Sequence, residues 1–399
     1  MKKILYILEE NQPPPSGVIS VVSEQFKYLS SQNYKIQILV NKNHWLKKKY
    51  IFNHSKIKIS KLNFYLPEEI KIKYNDKNFF LKLLFRSLLF FPLLIYSAYV
   101  LIKLTIKIRQ INPNIILNNN GGWPGGELNR YSLISSFILR LNTIFVIHNY
   151  PIKKNIINYF SILIDNFILK HCSSKIVTVS NDCKKFICKY LKTDNVSVIY
   201  NGTKNQQLKN SKIRKRNKRF NNKIKIGFFG KIEKRKGIEL LINSLEQNKI
   251  NCEVTLYGNI DNFYAKKMIL KSKNLSNKFE FKKTIINIDK ILKKIDFVIL
   301  PSINFESFGM ILIEAMSFGV PSICSNLGSM KEVIINNRNG LVFERNDSRD
   351  LSKILLKATK LTKSERDKFR KNCFDIFINK FDSKIMSKNY FKLISKYEK

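Results

Sequence analysis

The chain is poor in several features that would each have announced a function. Its six cysteines include no C-x-x-C pair; Cys183 and Cys188 are the only close two, with no second cluster at zinc-ligand spacing to answer them. A structural zinc site and a disulfide framework are thereby excluded, and reduced thiols of a cytoplasmic protein are the reading that remains. No G-x-G-x-x-G follows any predicted strand, which removes the usual dinucleotide oxidoreductase. No D-x-D stands where it would argue for a bound metal. The apolar start of the chain runs only from Ile4 to Leu8 before Glu9 and Glu10, too short for a signal-peptide core, and reads as a first strand.

Acidic residues are scarce as well: 29 Asp and Glu face 72 Lys and Arg, a formal charge of +43. Such an excess favours anionic partners, whether a nucleotide, nucleic acid or an anionic membrane. Lysine, asparagine and isoleucine are abundant throughout, as codon drift toward A and T would produce, so the charge by itself names no partner. Long apolar runs are few. Ser87 to Ile102 is uncharged and flanked by Lys82, Arg86, Lys103 and Lys107, but a span wants about 20 apolar residues. It is read as a domain helix first, an interfacial helix second and a span last.

What is present reads as α/β. With 399 residues, 44% of them hydrophobic, the chain suits two domains. "KKILYIL", a loop, the helical repeat of Val18, Val21, Val22, Phe26 and Leu29, and "YKIQILV" form a βαβ opening, hence a parallel sheet. Further strands are expected from Asn114, Thr143, Lys175 and Val196. A polar, basic segment at 203–222 then reads as a linker. A second strand and helix series follows over 223–375, after a first domain over 1–202. The C-terminal helix, 376–399, is expected to pack back on the first domain.

Two constellations in the second series carry chemistry. "NFESFGMILIEAMSFGVP" holds Glu306 and Glu314 in an otherwise apolar run ended by Gly319 and Pro321, with Ser307 read as the helix cap. A carboxylate on a buried helix needs donors, so Glu314 is expected to bond hydroxyls or a cation. Gly309 allows a ligand close to free helix N–H groups. "FFGKIEKRKGIELLI" puts Gly230 and Lys231 at a strand end, then Lys236 and Gly237 at a helix start, a natural diphosphate cradle.

Together with "LGSMKEVI", these stretches resemble the second domain of the retaining nucleotide-sugar glycosyltransferases of the GT-B fold, and most of all the large family 4 with its E-x7-E motif. The resemblance implies two Rossmann-like domains facing each other across a cleft. It implies that Glu306 meets the donor sugar, that Glu314 meets the ribose, and that Gly230, Lys231, Lys236 and the backbone of Phe308, Gly309 and Met310 hold the diphosphate. The family more often has arginine where Lys231 stands. In the first domain it points to Gly17 beside the donor phosphates, where the family usually shows a glycine pair, and to His148 facing the transferred sugar. The loop "NNNGGWPGGELNR", with Gly121, Gly122, Trp123 and Glu127, is read as the acceptor side.

The activity so implied is transfer of a hexose or N-acetylhexosamine, from a UDP-sugar by preference, to a hydroxyl of a cell-surface glycan or lipid-linked saccharide. No cofactor or metal is implied, and nucleic acid is not an expected partner. The setting implied is cytoplasmic, peripheral on the inner membrane's cytoplasmic face, with an anionic membrane surface as a further partner. Two rivals are an epimerase of the same architecture and a basic nucleic-acid binder.

Overall fold

A computed structural model describes residues 1–9, 17–44, 57–72, 90–151, 159–206, 223–285 and 287–398. Most of the expected linker, 207–222, and the loop 10–16 lie outside these residues, as do residues 87–89 at the start of the uncharged run. The chain divides into two compact units. Unit 1 takes Met1–Val179, Lys184–Ile199 and Ser387–Lys399, and unit 2 takes Ser180–Cys183 and Tyr200–Met386.

Unit 1 is a parallel sheet in the order β3-β2-β1-β4-β5-β6-β7. Its strands are β1 (Lys3–Leu8), β2 (Lys35–Val40), β3 (Ile57–Lys61), β4 (Ile115–Asn120), β5 (Thr143–Ile147), β6 (Lys175–Thr178) and β7 (Val196–Val198). The crossovers are helices α1 (Gly17–Ser31), α2 (Pro67–Ile72), α3 (Phe90–Ile111), α4 (Glu127–Ile138), α5 (Tyr159–Cys172) and α6 (Asn181–Leu191). β1 and β5 are wholly or almost wholly apolar, which is what a parallel strand covered on both faces requires. One core layer joins Leu5, Ile7 and Ile116 of the sheet to Val100, Leu104 and Ile108 of α3, whose spacing of four keeps one stripe inward. Each such side chain contributes about 1.5–3 kcal/mol on burial. The chain end closes this unit: Tyr34 Oη donates to Glu398 at 2.7 Å, and Asn142 donates to the Tyr397 carbonyl at 2.7 Å.

Unit 2 repeats the plan, with parallel strands in the order β10-β9-β8-β11-β12-β13. These are β8 (Ile224–Phe229), β9 (Cys252–Tyr257), β10 (Lys278–Lys282), β11 (Phe297–Leu300), β12 (Ser322–Ser325) and β13 (Gly340–Phe343). Its helices are α7 (Ile238–Glu246), α8 (Phe263–Lys271), α9 (Asp289–Leu292), α10 (Met310–Ser317), α11 (Met330–Val333), α12 (Ser348–Lys360) and α13 (Lys363–Ile376), before α14 (Ser383–Tyr397). In both units the strand order reverses beside the first strand, between β1 and β4 and between β8 and β11. At such a switch point neighbouring crossovers leave in opposite directions and open a crevice at the carboxyl ends of the strands.

Candidate active site

In unit 2 the switch point is lined by the loops after β8 and β11, which leave the same sheet end because Val298 pairs with Gly227. After β8 come Gly230 at φ 148°, an exposed Lys231, a 3-10 turn over Lys234–Lys236 and then Gly237 at φ 70°. The two loops are stitched together. The Ile303 N–H donates to the Arg235 carbonyl at 2.9 Å, and Gly237 lies so close to the Pro301 carbonyl that a Cβ there would overlap it. Only glycine meets both the left-handed φ and the close approach.

This stitch brings Lys236 to Glu306. Lys236 Nζ lies 2.5 Å from Glu306 Oε2, and each side chain is 12% exposed. Ser302 Oγ donates to the same oxygen at 3.1 Å, and Arg235 stands 3.9 Å from it. Ser329 Oγ donates to the Glu306 carbonyl at 2.5 Å, and Arg235 to the Phe305 carbonyl at 3.0 Å. The expectation gave Lys236 to phosphate and Glu306 to sugar as separate tasks. In the folded unit they form one half-buried ion pair, since each charge needs the other once both leave bulk water. Lys231 has no ion-pair partner among the described residues and so is the cation of the expected cradle that stands clear of the pair.

The expected helix cap is corrected. The residue capping α10 is Gly309, at φ 77° with no side-chain cap, while the Ser307 carbonyl accepts from Ser180 Oγ at 2.9 Å. Phe308 is 2% exposed and packs against Tyr200 and Phe381, leaving only its backbone to meet a ligand. Met310 is half-buried at the helix start.

Glu314 sits half-buried on α10, between buried Ile313 and Ala315. No protein hydroxyl or cation was found to serve it: among the described residues its carboxyl has no hydrogen-bond partner. Burial, reinforced by the Asp289 carboxylate, pushes it up to about 7. A carboxyl with a raised folded-state pKa favours the fold while protonated and loses that contribution as pH rises through about 7. The Glu314→Gln protein without ligand is therefore expected to gain stability over wild type between pH 5 and pH 8. Urea midpoints at the two pH values check this, and parallel midpoints would contradict it.

In unit 1, His148 follows β5 as expected. It is buried, its Nε2 lies 3.2 Å from Asn119 Oδ1, and its N–H donates to the Asn120 carbonyl at 3.0 Å. Burial lowers it to about 4, so the ring is neutral at pH 7. Gly121 is exposed with open space around it, Gly122 is half-buried, and Gly17 is the exposed first residue of α1.

Two residues of the expected acceptor side are placed otherwise. Trp123 is fully buried, donates to Asn166 Oδ1 at 2.8 Å and meets Phe145 edge-on, so it offers no face to a sugar. Glu127 is buried and accepts the Glu68 N–H at 2.6 Å. It ties the start of α2 to the start of α4. An indole and a carboxylate in a glycine-rich loop look like ligand groups until packing turns them inward.

The sequence reading missed Glu9, taken only as the end of an apolar run. It stands at the carboxyl end of β1, accepts the Asn129 N–H at 3.2 Å and the Asn41 amide at 3.4 Å, and is pushed up to about 7 by burial. A charged residue directly after the run Ile4–Leu8 was the available signal. Asn118 and Asn119 of β4, buried beside it in the sheet, were missed for the opposite reason, since asparagine is common everywhere in this chain.

Residues 209–374 match the family described as glycosyl transferases group 1. The chain is 29% identical over 189 residues to an uncharacterized glycosyltransferase of Methanocaldococcus jannaschii, a stretch that spans 46% of this chain and about half (49%) of that relative. It is 25% identical over 314 residues to the capsular polysaccharide biosynthesis glycosyltransferase CapM of Staphylococcus aureus, covering 72% of this chain and 77% of that one. Among solved structures, Anabaena HepE in complex with UDP superposes with a TM-score of 0.72 at 17% identity, over 99% of this chain and 100% of that one. The matched stretch, 209–374, is similar to the glycosyl transferases group 1 family, and the two parallel-sheet α/β units have the GT-B fold.

Proposed function

We propose that this protein transfers a hexose or N-acetylhexosamine from a nucleotide-sugar donor, a UDP-sugar by preference, to a hydroxyl of a cell-surface glycan or lipid-linked saccharide, with retention at the anomeric carbon. The observation that carries this reading is the Glu314 carboxyl, half-buried, without a protein donor and beside another carboxylate. A pair of ribose hydroxyls supplies the donors it lacks, and bonding to the charged form draws its pKa back down. The relative named for capsule synthesis and the UDP complex of HepE support the same chemistry.

In this scheme the helix start at Gly309–Met310 and the turn at Gly230–Lys231 receive the diphosphate, since backbone N–H groups and a fixed amine oppose the charge that grows as it leaves. Glu306, oriented by Lys236 and Ser302, accepts from hydroxyls of the transferred sugar. Glu306 addresses hydroxyls rather than attacking carbon, so double displacement is not invoked. The acceptor oxygen attacks from the face the diphosphate leaves, and the departing phosphate oxygen takes its proton. No metal is given a part, and the reaction is placed at the cytoplasmic side of the membrane.

Thermal melting against a panel of nucleotides and nucleotide sugars tests the donor site. UDP or one UDP-sugar is expected to raise the wild-type Tm by several degrees, as about 100-fold excess over Kd stabilises by about 2.7 kcal/mol. The Glu314→Ala protein is expected to lose most of that shift. An equal shift in the variant would remove Glu314 from the site. Donor turnover without acceptor to an epimerised or free sugar would favour the epimerase.

A further inference from the structure

We infer that Glu332 is a positioning residue of the donor site: acting through the first turn of α6 and through Tyr200, its carboxylate fixes the backbone at Ser307 and Phe308 that opens α10 toward the diphosphate. This role rests on the reading that the helix start at Gly309–Met310 receives that diphosphate. Glu332 lies in "LGSMKEVI", a stretch to which the proposed reaction gives no task. All the residues concerned belong to unit 2, which takes Ser180–Cys183 as well as Tyr200–Met386.

Glu332 is half-buried on α11 and its carboxylate is saturated with donors. Oε1 accepts the Asp182 N–H at 2.8 Å, while Oε2 accepts the Asn181 N–H at 2.9 Å, the Asn181 amide at 2.9 Å and the Tyr200 hydroxyl at 2.8 Å. Burial works against the charge, yet these donors outweigh it and hold the carboxyl below the usual carboxylate range. A helix start leaves N–H groups without intrahelical partners. At the start of α6, Glu332 takes those of Asn181 and Asp182, and Ser180 Oγ takes that of Cys183 at 3.2 Å.

Both arms end on the same loop. Ser180, held as the cap of α6, donates its own hydroxyl to the Ser307 carbonyl at 2.9 Å. Tyr200, held by its hydroxyl, lays its ring against Phe308 at 6.1 Å between centroids, and Phe381 closes the triangle at 5.9 Å from each. Lys380 ties the far side, donating to the Glu332 carbonyl at 2.8 Å with its Nζ 4.6 Å from the centre of the Tyr200 ring. Ser307 and Phe308 directly precede Gly309, whose φ of 77° starts α10. Hydrogen bonds from that start weaken steeply with angle, so the loop has to be held in place before a phosphate arrives. A carboxylate that only capped α6 would have no need of Tyr200, and it is Tyr200 that touches Phe308.

Calorimetric titration of the full chain with UDP and with UMP tests the role, since the two differ only in the second phosphate. Wild type is expected to bind UDP more tightly than UMP. Glu332→Gln leaves one acceptor oxygen where there were two, and is expected to weaken UDP about tenfold while UMP changes by less than about twofold. Tyr200→Phe keeps the ring and deletes only the hydroxyl. It is expected to weaken UDP about threefold at unchanged UMP affinity, and the double variant to lose no more than Glu332→Gln alone, because groups acting in series do not add. Tyr200→Phe carries the test should Glu332→Gln fail to fold. Two results would overturn the role. An unchanged ratio of UDP to UMP affinity in both variants, even with a lowered melting temperature, would leave Glu332 a structural cap and the donor site intact. No preference for UDP over UMP in wild type would remove the diphosphate reading, and this role with it.

Discussion

Replacing Glu306 by alanine is expected to lower kcat by about 10²–10³-fold, the usual loss when one pre-organised polar contact to a developing charge is removed. The carboxylate lies 2.5 Å from Lys236 and accepts from Ser302, so its position is set before any ligand arrives. Its removal has a second consequence, since Lys236, 12% exposed, is left without its partner. Glu306→Gln keeps the size and an acceptor oxygen for Lys236 and Ser302 and should lose less stability than Glu306→Ala, which separates the catalytic effect from a structural one. Steady-state kinetics with saturating acceptor, read beside thermal melts of both variants, decide the matter. Activity within a few-fold of wild type in folded Glu306→Ala protein would remove this residue from the reaction.

Trp123→Ala is expected to destabilise unit 1 by about 3–5 kcal/mol, the cost of deleting a large buried aromatic. Its indole is fully buried against Phe145 and donates to Asn166, so the variant loses packing and strands an amide oxygen together. Urea denaturation followed by circular dichroism measures the loss, and Trp123→Phe should recover a large part of it. If Trp123 contacted an acceptor instead, stability would hold and the acceptor KM would rise.

The contrast between these two residues shows how far the sequence could be read. The E-x7-E spacing and the paired glycines identify unit 2 because they are backbone and register requirements. Gly237 must hold φ 70° against the Pro301 carbonyl, and Gly309 must hold φ 77° at the start of α10. Few other residues satisfy those demands, so the pattern stays visible in the chain. The parallel sheets were legible for a similar reason, since strands such as β1 and β5 must be apolar on both faces. The acceptor loop carried no such constraint. Glycines, a tryptophan and a glutamate suit a binding loop or a tight turn over a core, and only the burial of Trp123 and Glu127 distinguishes them.

The amino-acid sequence by itself determined the class of fold, the glycine positions at the switch point of unit 2 and the two glutamates there, because periodicity and backbone conformation are local properties. Tertiary structure alone decided which charges meet. Lys236 and Glu306 are seventy positions apart and pair because β8 and β11 are neighbours in the sheet. It also decided that Glu314 stands without a protein donor beside Asp289, and that α3 commits one stripe to the core while baring the others beside α4 and α5. Burial and pairing depend on which distant segments the sheet order brings together, and no local pattern in the chain records that order.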